Sequence, residues 1–192
     1  MTQAKTARLD EAALREAALA YVTRYGGTEA ALARALGRRI RRWGDALASV
    51  EGADRDGIAA QAATLREAAA RVVADLVAMG AVNDQAFAES RARRLRRAGR
   101  SRRAVLAHLA ARGVAGEAAG AAVPEDTATE FAAALAFARR RRVGPFATSE
   151  PEPDAEPRIL MAFGRAGFSG SIARRALECD REEAEAVLIA AR

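Results

Sequence analysis

Apolar residues recur along this chain at helical spacing, and two stretches carry the same pattern 54 residues apart. The first places Val105, Leu106, Leu109, Gly113, Val114, Gly116, Ala118, Ala122 and Val123 where the second places Ile159, Leu160, Phe163, Gly167, Phe168, Gly170, Ile172, Ala176 and Leu177. A match at fixed offset marks a repeat, one small unit used several times. Periodicity and capping residues predict helices over 9–25, 28–39, 58–79, 84–98, 101–112, 115–123, 127–142, 158–166 and 169–178, with a last helix from Asp180. Gly26-Gly27, Gly80, Gly99 and Gly113 punctuate them. Thr28, Asn83 or Asp84, and Ser101 are candidate N-caps, and Thr127 with Glu130 reads as a capping box. Residues 49–57 read as a mobile loop.

The pattern predicts an all-α fold of three tandem three-helix units, helix-turn-helix-like, in an elongated and curved chain. Their expected extents are 1–82 with the inserted loop, 83–125, and 126–192 with a linker at 143–157 and the C-terminal helix. Each repeat reads as one longer helix followed by two shorter ones. All five prolines fall at or after Pro124, and four of them lie with four acids in that linker. Residues 146–156 are therefore expected to be disordered and dispensable for folding. A three-helix unit is too small to bury its apolar face alone, so neighbours must share a core.

Composition narrows the chemistry. The net charge is +6, and Lys5 is the sole lysine among 31 basic residues. Arginine excess points to a polyanionic partner. Cys179 and His108 are single copies, so neither an internal disulfide nor a Cys/His metal site can be assembled. His108 reads as a helix-surface residue without catalytic context. Gly164-x-x-Gly167-x-x-Gly170 lacks the Lys-Ser/Thr of a phosphate loop and reads as a helix-breaking turn. No carboxylates are paired for acid–base work, so no enzyme and no cofactor are expected. The N-terminus lacks an apolar signal region, and no apolar run reaches spanning length. A cytoplasmic chain that does not engage the membrane is expected.

The densest positive segment is 91–103, which holds eight arginines and no acid. With Ala88, Ala92 and Leu95 taken as the buried side, Arg93, Arg96, Arg97 and Arg100 fall together on the solvent side. Guanidinium groups pair bidentately with phosphate or carboxylate and stack on exposed bases. Arg102, Arg103, Arg112, Arg139, Arg140 and Arg165 complete the candidate surface. For Arg139–Arg142, capping of a helix C-terminus and binding both fit. Arg38, Arg39, Arg41 and Arg42 raise the same question, and Trp43 beside them could stack on a base or anchor a core.

Three short motifs carry a family resemblance. Leu76, Gly80, Asn83-Asp84 and Phe87-Ala88 come first, then Leu109, Arg112, Gly113 and Val114, then Phe163, Arg165, Gly167, Phe168 and Ser169. In this order they resemble the RecX family of regulators of the RecA recombinase, over roughly residues 9–178. Asn83 departs from an acidic pair, Arg91-Ala92 from a more apolar pair, and Ala166 from a basic residue. The resemblance implies a basic, all-helical, non-enzymatic protein, and the chain is expected to be a monomer when free. The resemblance also implies binding in the groove of the RecA–single-stranded DNA filament, with restraint of ATP hydrolysis, strand exchange and co-protease activity in recombination and the SOS response. The alternative reading is a helix-turn-helix-like protein that binds DNA alone.

Overall fold

The computed structural model describes residues 8–149 and 154–191, and the described residues form ten α-helices and one 3-10 turn, with no strand. The chain is all-α, as the periodicity predicts. It divides into two compact units, with the break between Phe87 and Ala88, inside α4.

Unit 1 holds α1 (Glu11–Tyr25), α2 (Glu29–Ala48), α3 (Arg55–Ala78) and the first turn of α4 (Asp84–Arg97). Asp10, Thr28 and Asp54 cap the three helices by accepting from Ala13, Ala31 and Gly57 N–H groups. Leu14 and Ala18, then Leu32, Leu36 and Ile40, then Leu65, Val72, Val73 and Leu76 form one core. These positions follow i, i+3/i+4 spacing, so each helix turns one stripe inward. Helix α2 runs nine residues past the expected end at 39, because Ile40 continues the stripe and Trp43 packs partly buried against the core. Helix α3 begins at Arg55, so the inserted loop is shorter than 49–57. The helices of this unit lengthen from 15 to 20 to 24 residues, which does not follow the long-short-short order of the repeat reading.

The acidic motif position has a structural reason here. Asp84 Oδ1 accepts the Glu29 N–H at 2.8 Å and so satisfies a donor at the start of α2. Asn83 caps α4 itself, its Oδ1 accepting from Ala86 at 2.8 Å. Asparagine caps a helix as well as aspartate does, so the departure at Asn83 leaves the joint intact.

Unit 2 continues with the rest of α4, then α5 (Arg102–Arg112), α6 (Gly116–Ala122), α7 (Thr127–Arg141), the 3-10 turn Gly144–Phe146, α8 (Ala155–Ala166), α9 (Gly170–Glu178) and α10 (Arg181–Ala190). Helix α7 is its centre, with every residue from Phe131 to Ala138 buried. Phe131, Phe137, Phe146, Phe163 and Phe168 supply the bulk of the core around it, and Leu188 of α10 closes it. Phe137 packs edge-on to Phe163 with ring centres 4.7 Å apart, a favoured arrangement of two ring quadrupoles. Alanine stripes let the helices approach closely. At Gly99 (φ 75°) a Cβ would lie 2.6 Å from the Phe137 nitrogen, so only glycine fits where the chain leaves α4 against α7.

Three expectations need correction. Asp126, not Thr127, is the N-cap of α7, and it accepts from Ala128 and Thr129 N–H groups. That frees Glu130 from the capping box for a different task. The linker is not uniformly unstructured. Val143 to Ala147 form the 3-10 turn and its flanks, Phe146 is buried in the core, and α8 starts at Ala155, ahead of Pro157. The remainder of the 146–156 expectation falls partly on 150–153, outside the described residues. Leu95 is only half-buried, and Arg96 is buried in its place.

Candidate nucleic-acid interface

Which arginines of α4 face solvent is set by the phase of the helix. Its buried positions are Ala88, Ala92 and Arg96, spaced i, i+4, i+8. At 100° per residue Arg94 and Arg97 fall on the opposite side and Arg93 on the flank, and all three are exposed. Arg93 has Glu89 one turn before it, with Nη1 to Oε2 at 4.0 Å, a loose surface pair. Among the described residues no carboxylate lies within ion-pair distance of Arg94 or Arg97. Arg94 belongs to this face as well, whereas Arg96, only about 80° round the helix from Ala88, falls on the buried side.

Arg96 does not belong to it. The side chain is buried and donates to Glu130 of α7 and to the Arg100 carbonyl (3.4 Å). The same Glu130 Oε2 accepts the Arg102 N–H at 3.0 Å, which is an open donor at the start of α5. One carboxylate thus joins three helices. A desolvated charge needs a partner, and this one has two.

The other candidates divide by what holds them. Arg102 is half-buried and pinned, with Nε donating to the Val123 carbonyl at 2.9 Å and Nη1 3.2 Å from Glu125. Arg103 is exposed but donates to the Gly164 carbonyl at 2.9 Å, beside the exposed Arg165. In the same corner the buried Ser101 hydroxyl donates to the Ala166 carbonyl at 2.6 Å. Ser101 and Arg103 therefore tie α5 to the end of α8, where Gly167 (φ 97°) stops the helix. The glycine spacing there is a helix-breaking turn, as expected. Arg140 donates to the Ala98 carbonyl at 2.6 Å, and the guanidiniums of Arg140 and Arg141 sit 5.6 and 5.1 Å from the Phe137 ring centre. Arg142 ends α7 in the left-handed region (φ 57°). Of that run, Arg139 and Arg140 were the binding candidates; Arg139 is exposed and Arg140 does structural work. In unit 1, Arg38, Arg39, Arg41 and Arg42 are exposed on α2, while Trp43 anchors the core.

Sequence alone does not show the pairing of Arg91 with His108. Arg91 Nε donates to His108 Nε2 at 3.0 Å across α4 and α5. Burial first, then the charges of Arg91, Arg112 and Arg100, hold His108 below the ordinary histidine range, so the ring is neutral at pH 7. Arg100 and Arg112 are exposed. Cys179 offers no nucleophile, because burial and the nearby Glu183 push its thiol up to about 11. It lines an open cavity of about 340 Å³ with Phe131, Ser171, Arg174, Arg175, Glu178 and Glu183. Among the described residues no helix is long and apolar enough to cross a membrane.

Comparison with known proteins settles the family. Over 176 residues the chain is 36% identical to the regulatory protein RecX of Myxococcus xanthus (strain DK1622), covering 86% of this chain and 84% of that one. This chain belongs to the RecX family of regulatory proteins. It is also 38% identical over 108 residues to the regulatory protein RecX of Agrobacterium fabrum (strain C58 / ATCC 33970), covering 56% of this chain and 58% of that one. The model of the second three-helix domain of RecX matches residues 83–123, which span α4, α5 and α6. The arginine face and the Arg91–His108 pair therefore lie in the RecX second domain. No solved structure matches the chain.

Proposed function

We propose that this protein is a non-enzymatic inhibitor of the RecA recombinase. It binds the groove of the RecA–single-stranded DNA filament in the cytoplasm and restrains ATP hydrolysis, strand exchange and co-protease activity. The observation that carries this reading is the asymmetry of α4. One of its arginines, Arg96, is buried on a carboxylate, while Arg93, Arg94 and Arg97 stand exposed. Like charges at helical spacing repel, so a face that folding does not use is suited to an external polyanion. Arg100, Arg103, Arg112, Arg139 and Arg165 are exposed in the same unit and extend the surface available to the filament. Arg96, Arg102 and Arg140 support this surface from within, since their guanidiniums are committed to Glu130, Val123 and Ala98.

The deciding experiment is RecA ATP turnover on single-stranded DNA across a full titration of the protein. Inhibition at amounts below one per RecA subunit is expected, because a ligand in a filament groove spans several subunits. Unchanged turnover overturns the reading. Binding to bare single-stranded DNA with no effect on RecA would identify a DNA-binding protein that acts alone.

A further inference from the structure

We propose that Arg91, His108, Arg100 and Arg112 form a proton-coupled phosphodiester-binding site on the α4–α5 face, in which His108 takes up a proton as the phosphate enters. This deepens the reading of the previous section and rests on it. The geometry begins with the bond between Arg91 and His108. Arg91 Nε can donate to His108 Nε2 at 3.0 Å only while that nitrogen keeps its lone pair, so the ring is the neutral tautomer with its proton on Nδ1. His108 and Arg112 are one turn apart on α5 and share a face. Arg100 lies in the link between α4 and α5, and its charge reaches the imidazole. The charged groups acting on His108 are thus Arg91 from α4, Arg100 from the link and Arg112 from α5, all cationic. Glu117 of the adjoining α6 is exposed and is not among them.

Burial first, and then the three guanidiniums, keep the imidazole neutral while the site is empty. A phosphate brings the compensating charge. Solvent then supplies a proton to Nε2, which turns from acceptor into donor. Arg91 Nε–H loses its internal partner at the same moment. Both groups are then donors, and the incoming oxygen atoms can accept from each. An anion and a proton each favour the other, and the coupling must be reciprocal. A carboxylate could also fill the site, but the surrounding arginine-rich surface suits a nucleic-acid backbone, whose phosphodiester oxygens accept charge-assisted hydrogen bonds from guanidinium and imidazolium.

His108 is the only histidine, so its imidazole resonance in the untagged full-length protein reports this site alone. The test follows that resonance against pH, free and saturated with a short oligothymidylate, and measures oligothymidylate affinity at each pH. The pKa of His108 should rise on saturation. Affinity should fall as pH rises between the free and bound pKa values, by up to about tenfold per pH unit, the limit for one proton. In His108→Gln this dependence should vanish. A His108 resonance whose titration is unmoved by saturating oligothymidylate overturns the proposal, as does an unchanged pH slope in His108→Gln. A shift produced by polyglutamate and not by oligothymidylate also overturns it, in favour of an acidic protein. RecA turnover measured on the same preparation separates the two readings. Inhibition with an inert His108 sinks this site alone. A responsive His108 without inhibition sinks the filament reading.

Discussion

Arg96 of α4 and Glu130 of α7 form an ion pair whose side chains are only 10% and 18% exposed. Glu130 also accepts the Arg102 N–H, so the pair fastens the end of α4 and the start of α5 to the central helix of unit 2. Nearly desolvated, each partner depends on the other.

Removing one member should therefore cost more than removing both. Glu130→Gln or Arg96→Met alone is expected to cost about 3 kcal/mol, because it strands a charge in a poorly solvated place. That corresponds to a fall in melting temperature on the order of 10 °C. The double variant should recover part of the loss. Denaturant unfolding of the two single variants and the double variant gives the coupling energy directly. Strictly additive losses would show that the two side chains act independently.

Most helices were legible because apolar spacing and caps agree along this chain. Thr28, Ser101, Ser169 and Asp180 sit where a capping side chain must sit, and each accepts from a helix N–H. The phase of α4 was harder. A buried arginine looks like any exposed one in sequence, and its partner lies 34 residues on, in another helix. Glu130 fitted a local capping box equally well, and only Asp126, three residues before Thr129, decides against it. The Arg91–His108 pair was hidden for the same reason, since its partners are 17 residues apart and on different helices. Phe146 was hidden by its surroundings. Proline and acid around it outweigh one aromatic in any compositional reading, yet that ring is what the core uses.

Phe146→Ala should destabilise the fold, although its neighbours read as a linker. Emptying a buried phenylalanine site costs about 3–5 kcal/mol when the surroundings cannot collapse. The 3-10 turn has little room to adjust. At Gly144 (φ 57°) a Cβ would lie 2.9 Å from the Leu177 Cα of α9. Thermal unfolding of Phe146→Ala beside Thr148→Ala, at an exposed neighbour, makes the comparison. Equal melting temperatures would return the turn to the linker.

His108 makes stability depend on pH. Its folded pKa lies below the ordinary histidine value, so at mildly acid pH the unfolded chain binds more protons than the folded one. The neutral ring's contribution is complete above the ordinary histidine value and is lost as pH falls through the lowered folded value. His108→Gln cannot titrate. The melting temperature of the wild type minus that of His108→Gln should therefore shrink from pH 8 to pH 5. A difference that grows on acidification would mean that the protonated ring is stabilised in the fold.

The exposed arginines of α4 should govern binding without governing stability. Arg97→Ala should weaken binding to the filament or to single-stranded DNA and lower the log–log salt slope by about one unit, if that guanidinium displaces one counterion from a phosphate. Charge reversal of Arg93 and Arg97 together should abolish inhibition of RecA. The melting temperature should stay within a few degrees, since both side chains are exposed. Arg96→Glu would not serve as a companion, because it breaks the pair with Glu130 and confuses folding with binding. The control must be chosen with the same care. Arg175 sits 4.0 Å from the centre of the Phe131 ring, so reversing it disturbs the core, whereas Arg174 is exposed on the next position of α9. Arg174→Glu should leave inhibition nearly intact. Loss of inhibition in Arg174→Glu with none in the Arg93/Arg97 variant would move the interface from α4 to α9, and a Arg93/Arg97 variant that unfolds would show that this face of α4 is packed rather than free.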